Sequence, residues 1–195
     1  MKRESSATRQ AQIKKAVLDI ISEEGLHSIS SRNVARRVGI TDGAIFRHFK
    51  SKQDILKNIM DDVQRDLMSK LSSIAGSDAA SEERLLSFLQ AHIGYLAANR
   101  GLAVLMYSEA AHLNNKGLRN RLHALLSEQK SMISMIIHDG VAEGIWKKEI
   151  NVDDAAILYM GVLIIFNVKL FLTGRGVNVH SYCDRMFQLI TKVLK

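Results

Sequence analysis

The chain has 195 residues with 27 Lys or Arg against 20 Asp or Glu, one cysteine and no proline, long enough for one or two domains with a real core. A lone Cys183 excludes an internal disulfide framework and any multi-cysteine zinc site, and the lack of proline favours long helices over a β-rich or linker-rich fold. Charge is uneven: residues 1–52 carry eleven basic and five acidic side chains (+6), residues 53–195 sixteen and fifteen (+1), which points to a polyanion partner for the first part only.

Met1 to Gln12 is polar and charged, unlike a signal peptide, so a cytoplasmic protein is expected. A first helix is predicted from about Thr8 to Glu24, with Ile13, Ala16, Val17, Ile20 and Ile21 as its apolar stripe and Gly25 as its stop. Ser30 then caps a short helix, with Asn33 near the capping-box position. Val34 and Val38 share its inner face, and Gly39 ends it where a left-handed residue is cheap. Thr41 is placed to cap a second helix that turns Ile45 and Phe49 inward. Asp42, Gly43, Ala44, Arg47 and His48 are left facing out. Two short helices at a tight angle, with an exposed polar face on the second, are helix-turn-helix geometry.

The run from Gly25 to Leu56 resembles the DNA-binding domain of the TetR (tetracycline-repressor-like) transcriptional regulators. The resemblance is carried by Val34-Ala35, Gly39-Ile40-Thr41, Gly43-Ala44, Phe46-Arg47-His48-Phe49 and Ser51-Lys52. It implies that the second helix of the motif enters a major groove and presents Thr41, Asp42, Gly43, Ala44, Arg47 and His48. Ser31 and Arg32 would reach the neighbouring backbone or a base edge. Phe46 stands where the family usually has tyrosine, so one hydroxyl contact to phosphate is expected to be missing while the ring packs on the sugar. Lys52, in the first turn of the next helix, suits a phosphate.

That next helix is predicted from its Ser51 cap to about Ile74, along Ile55, Ile59, Val63, Leu67, Leu71 and Ile74. A fifth helix follows over about Ser81 to Ala98, and a sixth from Leu102 to about His112. After a turn at Asn114 to Gly117, a seventh runs from about Leu118 to Glu143. Asp153 is placed to cap an eighth, about Asp154 to Thr173, in which Ala155 to Val168 is uncharged. That run is too short to span a bilayer and is apolar all round, as a helix buried on several sides must be. After Gly174-Arg175-Gly176, a ninth helix covers about Val179 to Leu194.

The fold expected is all-α, about nine helices. Residues 1–52 form a three-helix DNA-binding domain and residues 53–195 a larger helical domain for ligand binding and dimerisation. One motif reads only a half-site, and two about 34–36 Å apart would read a palindromic operator. The resemblance implies a homodimer through the last two helices. It also implies a repressor released by a small-molecule effector, with the fourth helix as lever. Polar or aromatic residues inside apolar stripes are candidates for the pocket: His92, Tyr95, Tyr107, Gln129, Tyr159 and Asn167, with Met60, Met106, Met132 and Met135 as an adaptable wall. The aliphatic content favours a hydrophobic effector. No H-E-x-x-H, G-x-S-x-G or phosphate loop is present, so neither an enzyme nor a metal or cofactor is expected. A DNA-binding activator or an architectural factor without a ligand switch is the alternative.

Overall fold

The computed structural model describes residues 5–105, 116–173 and 178–195, apart from the Leu118 side chain. The expected end of the sixth helix, the turns at 114–115 and 174–176, Met106 and Tyr107 lie outside the described residues. Among the described residues all regular structure is helical.

Helix α1 is Ser6–Glu24, two residues longer at its start than the sequence suggests, because the Ser5 hydroxyl accepts the Thr8 N–H at 3.1 Å. Gly25 ends it at φ 87. Helix α2, Ser31–Val38, starts at Ser30, whose Oγ accepts the Asn33 N–H at 3.1 Å. The capping box does not close. The Asn33 amide instead donates to Glu24 Oε2 at 2.9 Å and to the Ser28 carbonyl at 3.0 Å, tying α2 to the end of α1. Gly39 takes the left-handed conformation (φ 74, ψ 37) and turns the chain into α3, Asp42–Ile45. Thr41 occupies the cap position of α3 without a side-chain cap bond, and hydrogen-bonded turns carry the chain on to Phe49.

Helix α4 spans 52–75 and changes character on the way: Lys52–Asp62 is α-helical, Val63–Met68 π-helical and Ser69–Ala75 α-helical again. Its buried stripe is Ile55, Ile59, Val63, Leu67, Leu71 and Ala75, every fourth residue. An α-helix advances 3.6 residues per turn, so a strict four-residue stripe drifts about 40° around the axis at each step. Wider i→i+5 turns hold more residues and bring such a stripe back onto one face. The π segment keeps the stripe pointed at the core.

Helix α5 (Ser81–Ala98) packs on the end of α4, on α7 (Lys116–Ala142), on α8 (Val152–Thr173) and on α9 (Val179–Leu194); α6 is described only at 102–105. Arg84, buried in α5, clamps three elements: it donates to the Ala75 carbonyl at 2.8 Å and to Asp139 Oδ2 at 3.0 Å. The cap of α8 is Asn151 rather than Asp153. Asn151 Oδ1 accepts the N–H groups of Asp153 (3.0 Å) and Asp154 (3.2 Å), because the helix begins at Val152, two residues earlier than the sequence suggests.

Several contacts among the described residues join the N-terminal helices to the rest. Lys14 of α1 pairs with Asp62 of α4, and Arg121 of α7 pairs with Asp61. Gly101, at φ 82, seats the α5–α6 turn on α1 so closely that a Cβ would meet the Leu18 carbonyl oxygen at 2.5 Å and Ile21 Cβ at 3.1 Å. Gly101→Val is therefore expected to cost about 2 kcal/mol or more in urea unfolding. Gly94→Ala, mid-helix with open space around it, should stabilise by up to about 1 kcal/mol. Equal shifts for the two would remove the close approach at Gly101.

Candidate nucleic-acid interface and effector cavity

The outward face of α2–α3 is a surface of short polar side chains. Thr41, Asp42, Gly43 and Arg47 are exposed, Ala44 is half-buried, and Phe46 leaves 57% of its surface in solvent. Arg32 is exposed at the start of α2 beside half-buried Ser31. Ile45 and Phe49 hold this face from beneath, at 2% exposure each. His48 is half-buried and has partners of its own. Its Nδ1 lies 3.2 Å from the Ser6 hydroxyl, and its carbonyl accepts the Gln10 amide at 3.1 Å, so it ties α3 to α1. Ser31, Phe46 and Lys52 border a shallow groove of about 210 Å³ floored by Val34, Ile45 and Ile55.

The arginines divide into two groups. Arg37 is bound to Glu23 and Glu24 at 2.7 Å each, and Arg36 donates to Asn33 at 2.6 Å. Hydrogen bonds from Asn33 and then Arg37 hold the Glu24 carboxyl below its usual range. Among the described residues Arg32 and Arg47 make no ion pair. The acidic groups at the end of α1 are thus neutralised internally, while two exposed guanidinium groups are left on the face that carries α3.

A second feature lies between α4, α5, α7 and α8: a narrow cavity of about 50 Å³ that brings together His92, Gln129 and Asn167. Val63, Leu67, Leu96, Leu125, Met160 and Leu163 are among its apolar walls, and among the described residues no charged side chain lines it. Burial pushes the His92 imidazole down to about 4, so it is neutral at pH 7, and its Nδ1 has no hydrogen-bond partner. The other pocket candidates sit elsewhere. Tyr95 faces a separate cleft of about 260 Å³ between α1, α4 and α5, beside Lys14 and Asp62, and its phenol is pushed up to about 12 by burial and then by Asp66 and Asp62. Tyr159 is fully buried and donates to the Leu85 carbonyl at 2.9 Å. Met132 and Met60 belong to the core, and Met135 is 43% exposed. Leu102 lines both the cavity and the cleft, and so separates the two. Plain aliphatic walls such as Val63 and Leu67 carry no signal in a sequence that would set them apart from other core residues.

Residues 13–59 match the family described as bacterial regulatory proteins, tetR family, and residues 59–193 match the C-terminal region of YsiA-like proteins. The chain belongs to the TetR family. It is accordingly a DNA-binding transcription regulator and not an enzyme. Among its relatives is the fatty acid metabolism regulator protein of Bacillus subtilis, 25% identical over 152 residues and 78% of each chain. Another is the nucleoid occlusion factor SlmA of Vibrio vulnificus, 26% identical over 134 residues and 68% of each chain. The ketosteroid regulator KstR2 of Mycobacterium tuberculosis shares the fold, with a TM-score of 0.82 at 18% identity over 96% of this chain and 95% of that one.

His92 makes stability depend on pH. Unfolded, its imidazole titrates near 6.5; folded, near 4. Between these values the unfolded chain binds more protons, so stability rises with pH and is lost as pH falls from about 6.5 towards 4. At about 1.4 kcal/mol per pH unit, this single group contributes about 3 kcal/mol of acid sensitivity. His92→Leu should flatten the stability profile over that window in urea unfolding, and an unchanged slope would mean that His92 is not buried neutral.

Proposed function

We propose that this TetR regulator is a cytoplasmic homodimeric repressor that leaves a palindromic operator when a small hydrophobic effector fills the cavity between α4, α5, α7 and α8. In this reading residues 1–52 read DNA, and residues 53–195 sense and dimerise. Thr41, Asp42, Gly43, Ala44 and Arg47 face the major groove, and Arg47 supplies the main base or phosphate donor. Ser31, Arg32, His48 and Lys52 meet the backbone, with Phe46 against sugar. Asp42 accepts from a cytosine amine or steadies the start of α3.

The observation that carries the ligand switch is the position of Val63 and Leu67. They line the cavity, and they belong to the π segment of the helix that begins at Lys52 beside the reading face. A ligand that widens this wall acts directly on α4. It shifts the reading-competent state only by its differential affinity for the two arrangements, typically 1–3 kcal/mol.

Dimerisation is supported by an uncovered apolar surface. Ile157, Ile165 and Leu172 of α8 are 58%, 58% and 74% exposed, and Leu189 and Val193 of α9 are 55% and 58% exposed. Such a patch is covered in a stable protein, and the same two helices of a second copy fit it as an isologous four-helix contact. By length and composition α8 is also apolar enough to cross a membrane, but its other face is packed on α7 and α5 through Tyr159, Leu163 and Phe166.

Selection of bound sequences from a random DNA pool at two salt concentrations tests the reading. A palindromic consensus supports a dimeric sequence reader. Salt-sensitive binding without a consensus favours an architectural or occupancy factor. On the selected site, Arg47→Ala should weaken binding by about 1–3 kcal/mol and leave the dimer intact. Arg37→Ala, which removes an internal ion pair, should change specificity little. Ile165→Glu should yield monomers in sedimentation and lose most operator affinity, and a dimer that survives it would move the interface elsewhere.

A further inference from the structure

The polar groups in the cavity constrain what can occupy it, given the reading of this cavity as the effector site. His92 is 5% exposed, and its Nδ1 has no partner. Gln129, 6% exposed, spends an amide N–H on the Met68 sulfur at 3.5 Å, and its carbonyl oxygen has no donor among the described residues. Asn167 gives its amide N–H to the Leu163 carbonyl one turn back, at 2.9 Å, which leaves its Oδ1 in the same condition. Two carbonyl acceptors, the second N–H of each amide and one neutral imidazole, itself one donor and one acceptor, therefore line a space whose other described walls are aliphatic or thioether.

Among the described residues no Lys or Arg lines that space. A carboxylate or phosphate inside it would lose its hydration without a counter-charge, the costliest form of burial. An ether or an ester carbonyl only accepts, and so leaves both amide carbonyl oxygens without a donor. A hydroxyl both donates and accepts. It satisfies either carbonyl oxygen and either tautomer of His92.

We infer that the effector is an uncharged, largely apolar molecule whose hydroxyl group is held by His92, Gln129 and Asn167. The cavity, about 50 Å³, holds little more than the polar head. The body of the ligand enters by rotamer changes of the surrounding Leu and Met side chains, Met160 among them, whose unbranched thioether adapts at little cost. The hydroxyl fixes the orientation, and the apolar body displaces the Val63–Leu67 wall.

Calorimetric titration of the full-length protein with 1-decanol, its methyl ether and decanoate at pH 7.5 tests this. The alcohol is expected to bind roughly tenfold more tightly than the ether, the worth of about one net hydrogen bond, and more tightly still than decanoate. In His92→Leu and Gln129→Leu, each checked for native helicity, the alcohol should lose its advantage over the ether. Decanoate binding as tightly as the alcohol, equal affinity for alcohol and ether, or no binding by any of the three would overturn the inference. If the alcohol binds with the expected preference and leaves operator affinity unchanged, the chemistry of the site stands and the effector reading fails.

Discussion

Everything in this protein hangs on the single buried stripe of α4. Six side chains at four-residue spacing, from Ile55 to Ala75, stay in the core along a helix that starts beside the α2–α3 motif and ends under Arg84. Four is not 3.6, and a regular α-helix would carry that stripe out into solvent. The π turns at Val63–Met68 absorb the mismatch. They do so at the level where Val63 and Leu67 form a cavity wall and where Asp61 and Asp62 hold Arg121 and Lys14. Insertions of this kind are frequent at functional sites because the wide turn has a nearby alternative, the ordinary α turn. Packing, ion pairing and a cavity wall therefore converge on one helical segment.

Electrostatics divides the labour around that helix. Acidic side chains at the end of α1 are consumed by Arg37 and Asn33, which fix α2 against α1. Arg32 and Arg47 stay exposed and make no ion pair among the described residues, within a stretch, 1–52, that carries a net +6. The larger part of the chain has the opposite character. It is nearly neutral, its cavity holds no charge, and the outer faces of α8 and α9 are bare aliphatic surface. A basic N-terminal region is thereby joined to a nearly neutral, apolar remainder through α4, which packs against both.

Much of this was legible in the residues. Ser30, Gly39 and Ser51 announce their turns because capping and left-handed conformations demand particular side chains, and each does what its chemistry requires. Asn33 and Asp153 misled for a physical reason: a short polar side chain near a helix start has several acceptors and donors in reach. Asn33 chose Glu24, and Asn151 reached the open N–H groups before Asp153 could. The stripe of α4 was visible as far as Leu71, but the spacing points to Ile74 as its last member where Ala75 is the buried one. Its consequence depends on which neighbours hold the stripe inward, and those neighbours are distant in sequence. The cavity was the least legible. His92, Gln129 and Asn167 stand out as polar residues on apolar faces, but so do Tyr95 and Tyr159, and only the packing sends one of these to a different cleft and the other to the Leu85 carbonyl.

The most direct measurement is the distance between the two reading units when the cavity is filled without any ligand. Lys57→Cys puts a spin label on the exposed side of α4, while native Cys183 is fully buried. Ala103→Trp, at the cavity rim, supplies the bulk. Pulsed electron paramagnetic resonance on the dimer should show a shifted or broadened label–label distance in the filled variant, together with weaker operator binding. Superimposable distance distributions, with the tryptophan seated in the cavity and the fold intact, would contradict a coupling through α4.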